Sequence, residues 1–281
     1  REDELHNPAT LFAPDLKRDR SQNALALGYG FNHGGHSLQA NLRRDDDSEF
    51  GGKSTGSLSY GYAITPQWRV TAAGGTSFRA PTLYQRFSEY GAPSLQPEKG
   101  RNIELGTRWT QGSSSVGLVA YRNRVSNLIN FGAAGPCAST FGCYENVGRA
   151  EYKGITLSAS QRVAGVSLRG SMDWQNPHDL ATGKLLARRA KRFATLGADT
   201  TLAGWAVGAE LYASAKRFDN AANTNVLGGY TTLNLYASKR LAREVTLLAR
   251  VDNLTDKDYQ TARGYATGGR MVYVGLKWAP Q

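Results

Sequence analysis

Apolar and polar residues alternate with a period of two over most of this chain, the pattern of strands that turn one face to an apolar environment. From Glu244 onward, Val245, Leu247, Ala249 and Val251 fall on one face and Glu244, Thr246, Arg250 and Asp252 on the other, with Leu248 the exception. Trp205, Val207, Ala209, Leu211 and Ala213 oppose Gly208, Glu210, Tyr212 and Ser214 in the same way. Val272, Val274, Leu276 and Trp278 oppose Met271, Tyr273, Gly275 and Lys277. Ile103/Leu105/Trp109, Ile155/Leu157/Ala159 and Leu233/Leu235/Ala237 extend the series. Helical periodicity is nearly absent. The pattern predicts an all-β chain of about 13 strands, near 22–33, 36–47, 53–64, 67–79, 101–112, 115–131, 144–163, 166–177, 190–203, 205–218, 229–240, 244–256 and 269–279.

The connections alternate in length. Short ones fall at Gly34-Gly35, Thr65-Pro66-Gln67, Gly112-Ser113-Ser114, Ala164-Gly165 and Leu241-Ala242-Arg243, and long ones at 80–100, 132–143, 178–189, 219–228 and 257–268. Small turns on one side and large loops on the other characterise transmembrane β-barrels. A soluble sandwich uses strands of about five or six residues and packs two apolar faces together. Here the strands run to about ten residues or more, and the face opposite the apolar one carries small and polar residues, which suits a wide, wet lumen. Tyr29, Tyr62, Trp68, Trp109, Trp205 and Trp278 near strand ends fit interfacial girdles. The expected fold is therefore a transmembrane antiparallel β-barrel.

Single-chain bacterial barrels have an even number of strands, and an unclosed row leaves bare backbone edges that lipid does not tolerate. An odd count of about 13 is read as the C-terminal portion of a larger barrel, covering 21–281. Residues 1–20, polar and bearing Pro8 and Pro14, are expected to be the remainder of an external loop.

Composition narrows the partners. Only 40% of the 281 residues are hydrophobic, and no apolar run approaches the roughly 18 to 20 residues that a spanning helix needs. The formal net charge of +11 raises nucleic acid or an anionic surface as partners. No nucleic-acid-binding module is recognisable, so nucleic acid is not expected. Arg1-Glu-Asp-Glu-Leu-His-Asn is polar and has no apolar signal-peptide core, in keeping with a piece of something longer.

Four stretches carry a resemblance. Gly75-Thr-Ser-Phe-Arg-Ala-Pro-Thr-Leu, Gly91-Ala-Pro-Ser-Leu-Gln-Pro-Glu-Lys, Asn102-Ile-Glu-Leu-Gly and Asp252-Asn-Leu-Thr-Asp-Lys-Asp-Tyr together resemble the signature of TonB-dependent outer-membrane receptors. Within that family the chain is most similar to the cobalamin (vitamin B12) receptors. That likeness lies in Arg44-Asp-Asp-Asp-Ser-Glu-Phe-Gly, Tyr121-Arg-Asn-Arg-Val-Ser-Asn-Leu-Ile, Leu185-Leu-Ala-Arg-Arg-Ala-Lys and Gly264-Tyr-Ala-Thr-Gly-Gly-Arg. The similarity covers essentially the whole chain and implies the second half of a plugged barrel of about 22 strands. The plug, the TonB box and the first strands would lie upstream.

The resemblance implies uptake rather than chemistry. A bulky nutrient binds at the external loops of a multi-pass protein in the outer membrane of a Gram-negative bacterium. The TonB complex then acts on the plug, and the nutrient enters the periplasm. A siderophore receptor is the alternative within the family, and a passive porin-like barrel the alternative outside it. No cofactor is expected in this chain, because the family's calcium-binding acidic loops lie upstream. One ligand contact carries over, Arg188, the first arginine of Arg-Arg-Ala-Lys. A second, a loop aromatic, falls near Ala222 and is not matched.

The remaining candidates are weighed against plainer roles. Arg188, Arg189, Lys191 and Arg192 form the densest basic cluster, suited at a barrel mouth to anionic lipopolysaccharide or to ligand phosphate and amide groups. Asp45-Asp46-Asp47-Ser48-Glu49 matches no calcium loop and is expected to be a solvated rim. His33 and His36 flank a turn without supporting Cys or carboxylate ligands, and only His178 is placed for catalysis, so no enzyme is expected. Trp278 is expected to be the C-terminal aromatic that the outer-membrane assembly machinery reads, although Ala279-Pro280-Gln281 follow it. Cys137 and Cys143, on a predicted external loop, are expected to form a disulfide, since outer-membrane proteins pass through an oxidising periplasm and five residues give enough slack.

Overall fold

The structure, a computed structural model, describes residues 1–8, 15–132, 135 and 137–280, with Val147 described by its backbone alone. Its strands are β1 (Glu2–Asn7), β2 (Leu16–His33), β3 (His36–Asp47), β4 (Gly51–Ala63), β5 (Trp68–Arg79), β6 (Glu98–Gln111), β7 (Ser114–Phe131), β8 (Tyr144–Val163), β9 (Val166–Asp179), β10 (Arg192–Leu202), β11 (Trp205–Ser214), β12 (Arg217–Phe218), β13 (Val226–Leu227), β14 (Tyr230–Ala242), β15 (Val245–Asp252) and β16 (Met271–Trp278). One short helix, α1 (Leu83–Phe87), lies between β5 and β6.

Among the described residues, fourteen strands form a single sheet in chain order, with β14 following β11, while β12 and β13 pair separately within that connection. All the pairings are antiparallel, so the sheet is a continuous meander with two ends. The short-turn end carries two-residue hairpins such as Ala164-Gly165 and Ala203-Gly204. Both central residues have positive φ there, at 49° and 83°, and 49° and 78°, the type I′ geometry whose twist matches that of the strands. The long-loop end carries α1, the β12–β13 hairpin and the connection between β7 and β8. The sheet does not close on itself: among the described residues β16 pairs only with β15, and Asn23–His33 of β2 only with β3.

Thirteen of the strands correspond to the predicted ones; the fourteenth in the sheet, β1, corrects the expected count. Glu2–Asn7 pairs with Leu16–Ser21, inside the segment read as a loop remainder, whose middle, including Pro14, lies outside the described residues. β1 escapes the alternation because Leu5 is its one apolar residue and its other positions are polar. Charge supports it instead, with Asp3 bridging Arg1 and Arg20.

The predicted apolar faces share one side of the sheet, through register pairs such as Leu105↔Ala120, Ala120↔Ile155 and Leu247↔Leu276. Among the described residues nothing covers them: Leu25, Leu27, Leu42, Ile103, Val272 and Leu276 are each more than 60% exposed. The buried hydrophobic residues, among them Leu83, Leu95, Cys143, Leu186 and Leu227, cluster at the long-loop end. Apolar surface left in water forgoes about 25 cal/mol per Å², so this outer face requires an apolar surrounding. Trp68 and Trp109, paired across β5 and β6, and Trp205 and Trp278 mark its short-turn border. The opposite face is polar, with Arg169 donating to Tyr236 and paired with Asp199.

Candidate functional site

The site begins with what fixes the long-loop end. Thr82 caps α1 through a reciprocal pair: its hydroxyl accepts from Gln85 N at 3.1 Å and its N–H donates to Gln85 Oε1 at 3.0 Å. Arg20 of β2 donates to Pro81 O at 2.6 Å and to Asp3 at 2.8 Å, with Asp47 at 3.7 Å. Arg86 pairs with Glu49 at 2.7 Å and lies over the Phe50 and Phe87 rings. These contacts correct the expectation that Asp45–Glu49 is a solvated rim. Strand alternation turns Asp45 and Asp47 inward, where they are 4% and 3% exposed, and leaves Asp46, Ser48 and Glu49 exposed. Arg43 and Arg20 supply the partners that make such burial affordable.

Above this base, four connections line a cavity of about 690 Å³. Ala92–Leu95 from the β5–β6 connection, Phe131, Phe141 and Tyr144 around the β7–β8 connection, and Arg188 with Asp219–Ala222 contribute to its lining. Asn146 ties two of these segments together, donating to Gln96 O at 3.0 Å and to Asn127 O at 2.8 Å while accepting from Gln96 N at 2.8 Å. Asn223 does the same for the other side, with Leu185 N and O both at 2.8 Å. Phe131, Tyr144, Tyr84 and Tyr90 pack edge to face, with centroids 5.3 to 6.3 Å apart.

Arg188 enters this cavity with a left-handed backbone, φ 59°. Its N–H donates to Phe218 O at 2.6 Å and its Nε to Asp219 Oδ1 at 2.8 Å. The terminal guanidinium nitrogens make no hydrogen bond among the described residues, so donors remain for a ligand. Burial alone would raise the Asp219 pKa, but hydrogen bonds from Arg188 and the Arg263 N–H outweigh it and hold the carboxyl below its ordinary value. A carboxyl depressed by folding stabilises above its ordinary pKa and loses that contribution as pH falls through the lowered one. The Arg188–Asp219 pair should therefore persist through mildly acidic pH and open only below about pH 4. NMR observation of the Arg188 Nε–H against pH checks this; loss of the bonded signal by pH 6 would contradict it.

Cys137 and Cys143 are joined by a disulfide, S–S 1.98 Å, with Cα atoms 5.8 Å apart. Ser139 N donates to Glu89 O at 3.1 Å and Tyr144 N to Tyr90 O at 2.9 Å, which fastens the disulfide loop onto the β5–β6 connection. Closing so short a loop contributes about 2 kcal/mol. Mass spectrometry of non-reduced protein should show the Cys137–Cys143 crosslink, whereas alkylation of both thiols without reductant would exclude it.

The sequence model of the TonB-dependent receptor-like β-barrel family matches residues 4–254. The chain belongs to this family. Among curated relatives of the chain, the vitamin B12 transporter BtuB of Vibrio cholerae serotype O1 is 32% identical over 248 residues, covering 85% of this chain and 39% of that protein. BtuB of Vibrio vulnificus is 31% identical over 264 residues, covering 92% and 41%. The chain thus spans about two fifths of the length of the curated relatives it matches. Among solved structures, the copper transporter OprC superposes with a TM-score of 0.79 at 18% identity, over 95% of this chain and 49% of that one. The siderophore receptor PirA from Acinetobacter baumannii gives 0.75 at 18%, over 93% and 46%. These structural likenesses show the fold.

Family proteins of this kind reside in the Gram-negative outer membrane, which supplies the apolar surrounding that the outward face of the sheet requires. Of the residues singled out from the sequence, the structure brings Arg188, Cys143 and Ala222 to one cavity and leaves Trp278 at the far, short-turn end. His178 does not join them; its Nδ1 lies 3.2 Å from Asn176 O. Phe131, Phe141 and Tyr144 were not anticipated. Phe141 is 85% exposed, and such a ring on a fastened loop is the signal that could have drawn attention to it. Trp278 is on the lipid-facing side and donates to Glu244 at 3.2 Å. Trp278→Ala should lower the amount of the protein in outer-membrane fractions, measured by quantitative blotting. Unchanged amounts would remove Trp278 as an assembly signal.

Proposed function

We propose that this chain forms part of the ligand-binding barrel of an outer-membrane receptor that takes up cobalamin by TonB-dependent transport. The observation that carries this reading is the cavity at the long-loop end, where Arg188 stands beside the 219–222 segment and opposite an aromatic wall. Its size and mixed lining suit a bulky ligand with amide and phosphate groups on an apolar body. Identity of 32% to a vitamin B12 transporter over 85% of this chain supports the same reading. On it, the TonB complex acts through a plug domain that the barrel surrounds, and the nutrient passes to the periplasm.

A siderophore receptor is the second reading. It is favoured by the small Ala222, where cobalamin receptors are expected to offer an aromatic, and by the cations Arg188, Arg189 and Arg263 near the mouth, which suit an anionic ferric chelate. Binding measurements on the protein purified from outer membranes separate the two. Tight cyanocobalamin binding that ferric chelates do not displace is expected. Ferric-chelate binding without cobalamin binding would move the assignment to the second reading, and binding of neither would overturn both.

A further inference from the structure

The cavity at the long-loop end carries a charge that its own ion pair leaves over. Among the described residues its lining holds one cation, Arg188, and two carboxylates, Asp219 and Glu145. Arg188 and Asp219 are paired at 2.8 Å. Glu145, next to the start of β8 and opposite Asn130 of β7, is exposed and makes no hydrogen bond or ion pair among the described residues. Ala133, Ala134 and Pro136, which lie outside them, bring no cation to it.

The local sequence explains how this carboxylate comes to stand there. Gly132 lines the same cavity, and the Glu145 carboxylate lies in the space that a side chain at 132 would fill. The backbone beneath is fixed, with Phe131 paired to Tyr144 and the Gly132 N–H donating to Cys143 O at 2.9 Å. In water an unpaired carboxylate is solvated and tolerated. Once a ligand covers it, the charge must be met by donors or it becomes costly.

From this arrangement we infer that Glu145 sets the selectivity of the cavity: it accepts hydrogen bonds from uncharged N–H groups of the ligand and excludes ligands of net negative charge. This holds on the reading of the cavity as the nutrient site, and it favours an amide-bearing ligand over an anionic ferric chelate. Amide N–H groups gain charge-assisted bonds to the carboxylate. A chelate anion would instead bury two like charges together, an element of rejection rather than attraction. Arg188 complements Glu145, since its free guanidinium donors suit phosphate or carbonyl oxygens. Arg189 and Arg263 are not among the lining residues, so they do not offset Glu145 within the cavity.

The test compares the wild-type protein with Glu145→Gln, both purified from outer membranes, for binding of cyanocobalamin and of a strongly anionic ferric tris-catecholate. Glutamine keeps the size of the side chain and breaks no ion pair, so the variant should reach the outer membrane in wild-type amounts. Cyanocobalamin should bind the variant about tenfold more weakly, the difference between a charge-assisted and an ordinary hydrogen bond. The chelate should bind it about tenfold more tightly than wild type, and added salt should narrow that gap. Glu145→Asp keeps the charge and should still exclude the chelate. Unchanged affinity of Glu145→Gln for both ligands would overturn the inference while leaving cobalamin as the nutrient. Equal gains in chelate affinity for the aspartate and glutamine variants would also overturn it, because size rather than charge would then decide. Chelate binding by the wild-type protein without cyanocobalamin binding would overturn it together with the cobalamin reading.

Discussion

Replacing Gly91 by alanine is expected to disorder the floor of the cavity and to weaken both the loop and ligand binding. Gly91 follows α1 and donates its N–H to Ser88 O at 2.8 Å. A Cβ at this position would stand 2.6 Å from both the carbonyl carbon and oxygen of Arg86 and 2.7 Å from Phe87 N. All three are backbone atoms, so no side chain can swing away, and α1 or the chain after it must move. Overpacking of this kind costs about 3 kcal/mol. The displaced segment is the one that carries Ala92 and Leu95 into the cavity and Gln96 onto Asn146. The variant should be cleaved by added protease within 88–97 on intact cells and should bind ligand more weakly. Wild-type protease resistance together with wild-type affinity would show that the backbone approach is not close enough to matter.

Arg188→Ala should reduce ligand affinity about ten- to a hundredfold, the equivalent of a charge-assisted hydrogen bond of roughly 1.5–3 kcal/mol. The substitution removes the free guanidinium donors from the cavity wall and leaves Asp219 with its bond from Arg263 N at 3.1 Å. Because Arg188 holds a positive φ, Arg188→Asn tolerates the backbone better and separates loss of the donor from loss of the turn. Both variants should bind weakly while reaching the outer membrane normally. Wild-type affinity in the asparagine variant would reduce Arg188 to a structural rim charge held by Asp219.

Much of this was legible along the chain, for a physical reason. Strand faces repeat every two residues and turns carry glycine at fixed places, so Val245–Val251 or the Ala164-Gly165 hairpin can be read locally. The disulfide was legible for the same reason: Cys137 and Cys143 are close in sequence and their loop is short. What escaped depends on meetings between distant segments. β1 has no apolar face to betray it, and its support comes from Arg20. Asp45 and Asp47 read as solvent residues until Arg43 and Arg20 are seen to face them. Asp219 is 31 residues from Arg188, and no periodicity joins the two.

The length of the β7–β8 hairpin has a consequence for how the receptor survives outside the cell. These strands run for 18 and 20 residues, whereas crossing the hydrocarbon takes about 9 to 11. Roughly half of each therefore stands beyond the lipid, bearing its tip into a space patrolled by secreted proteases. A protease must pull an extended segment into its cleft, and the paired backbone from Phe131↔Tyr144 downward offers none. A cut between Cys137 and Cys143 would leave both new ends tethered through sulfur, so the hairpin would be nicked but not shed.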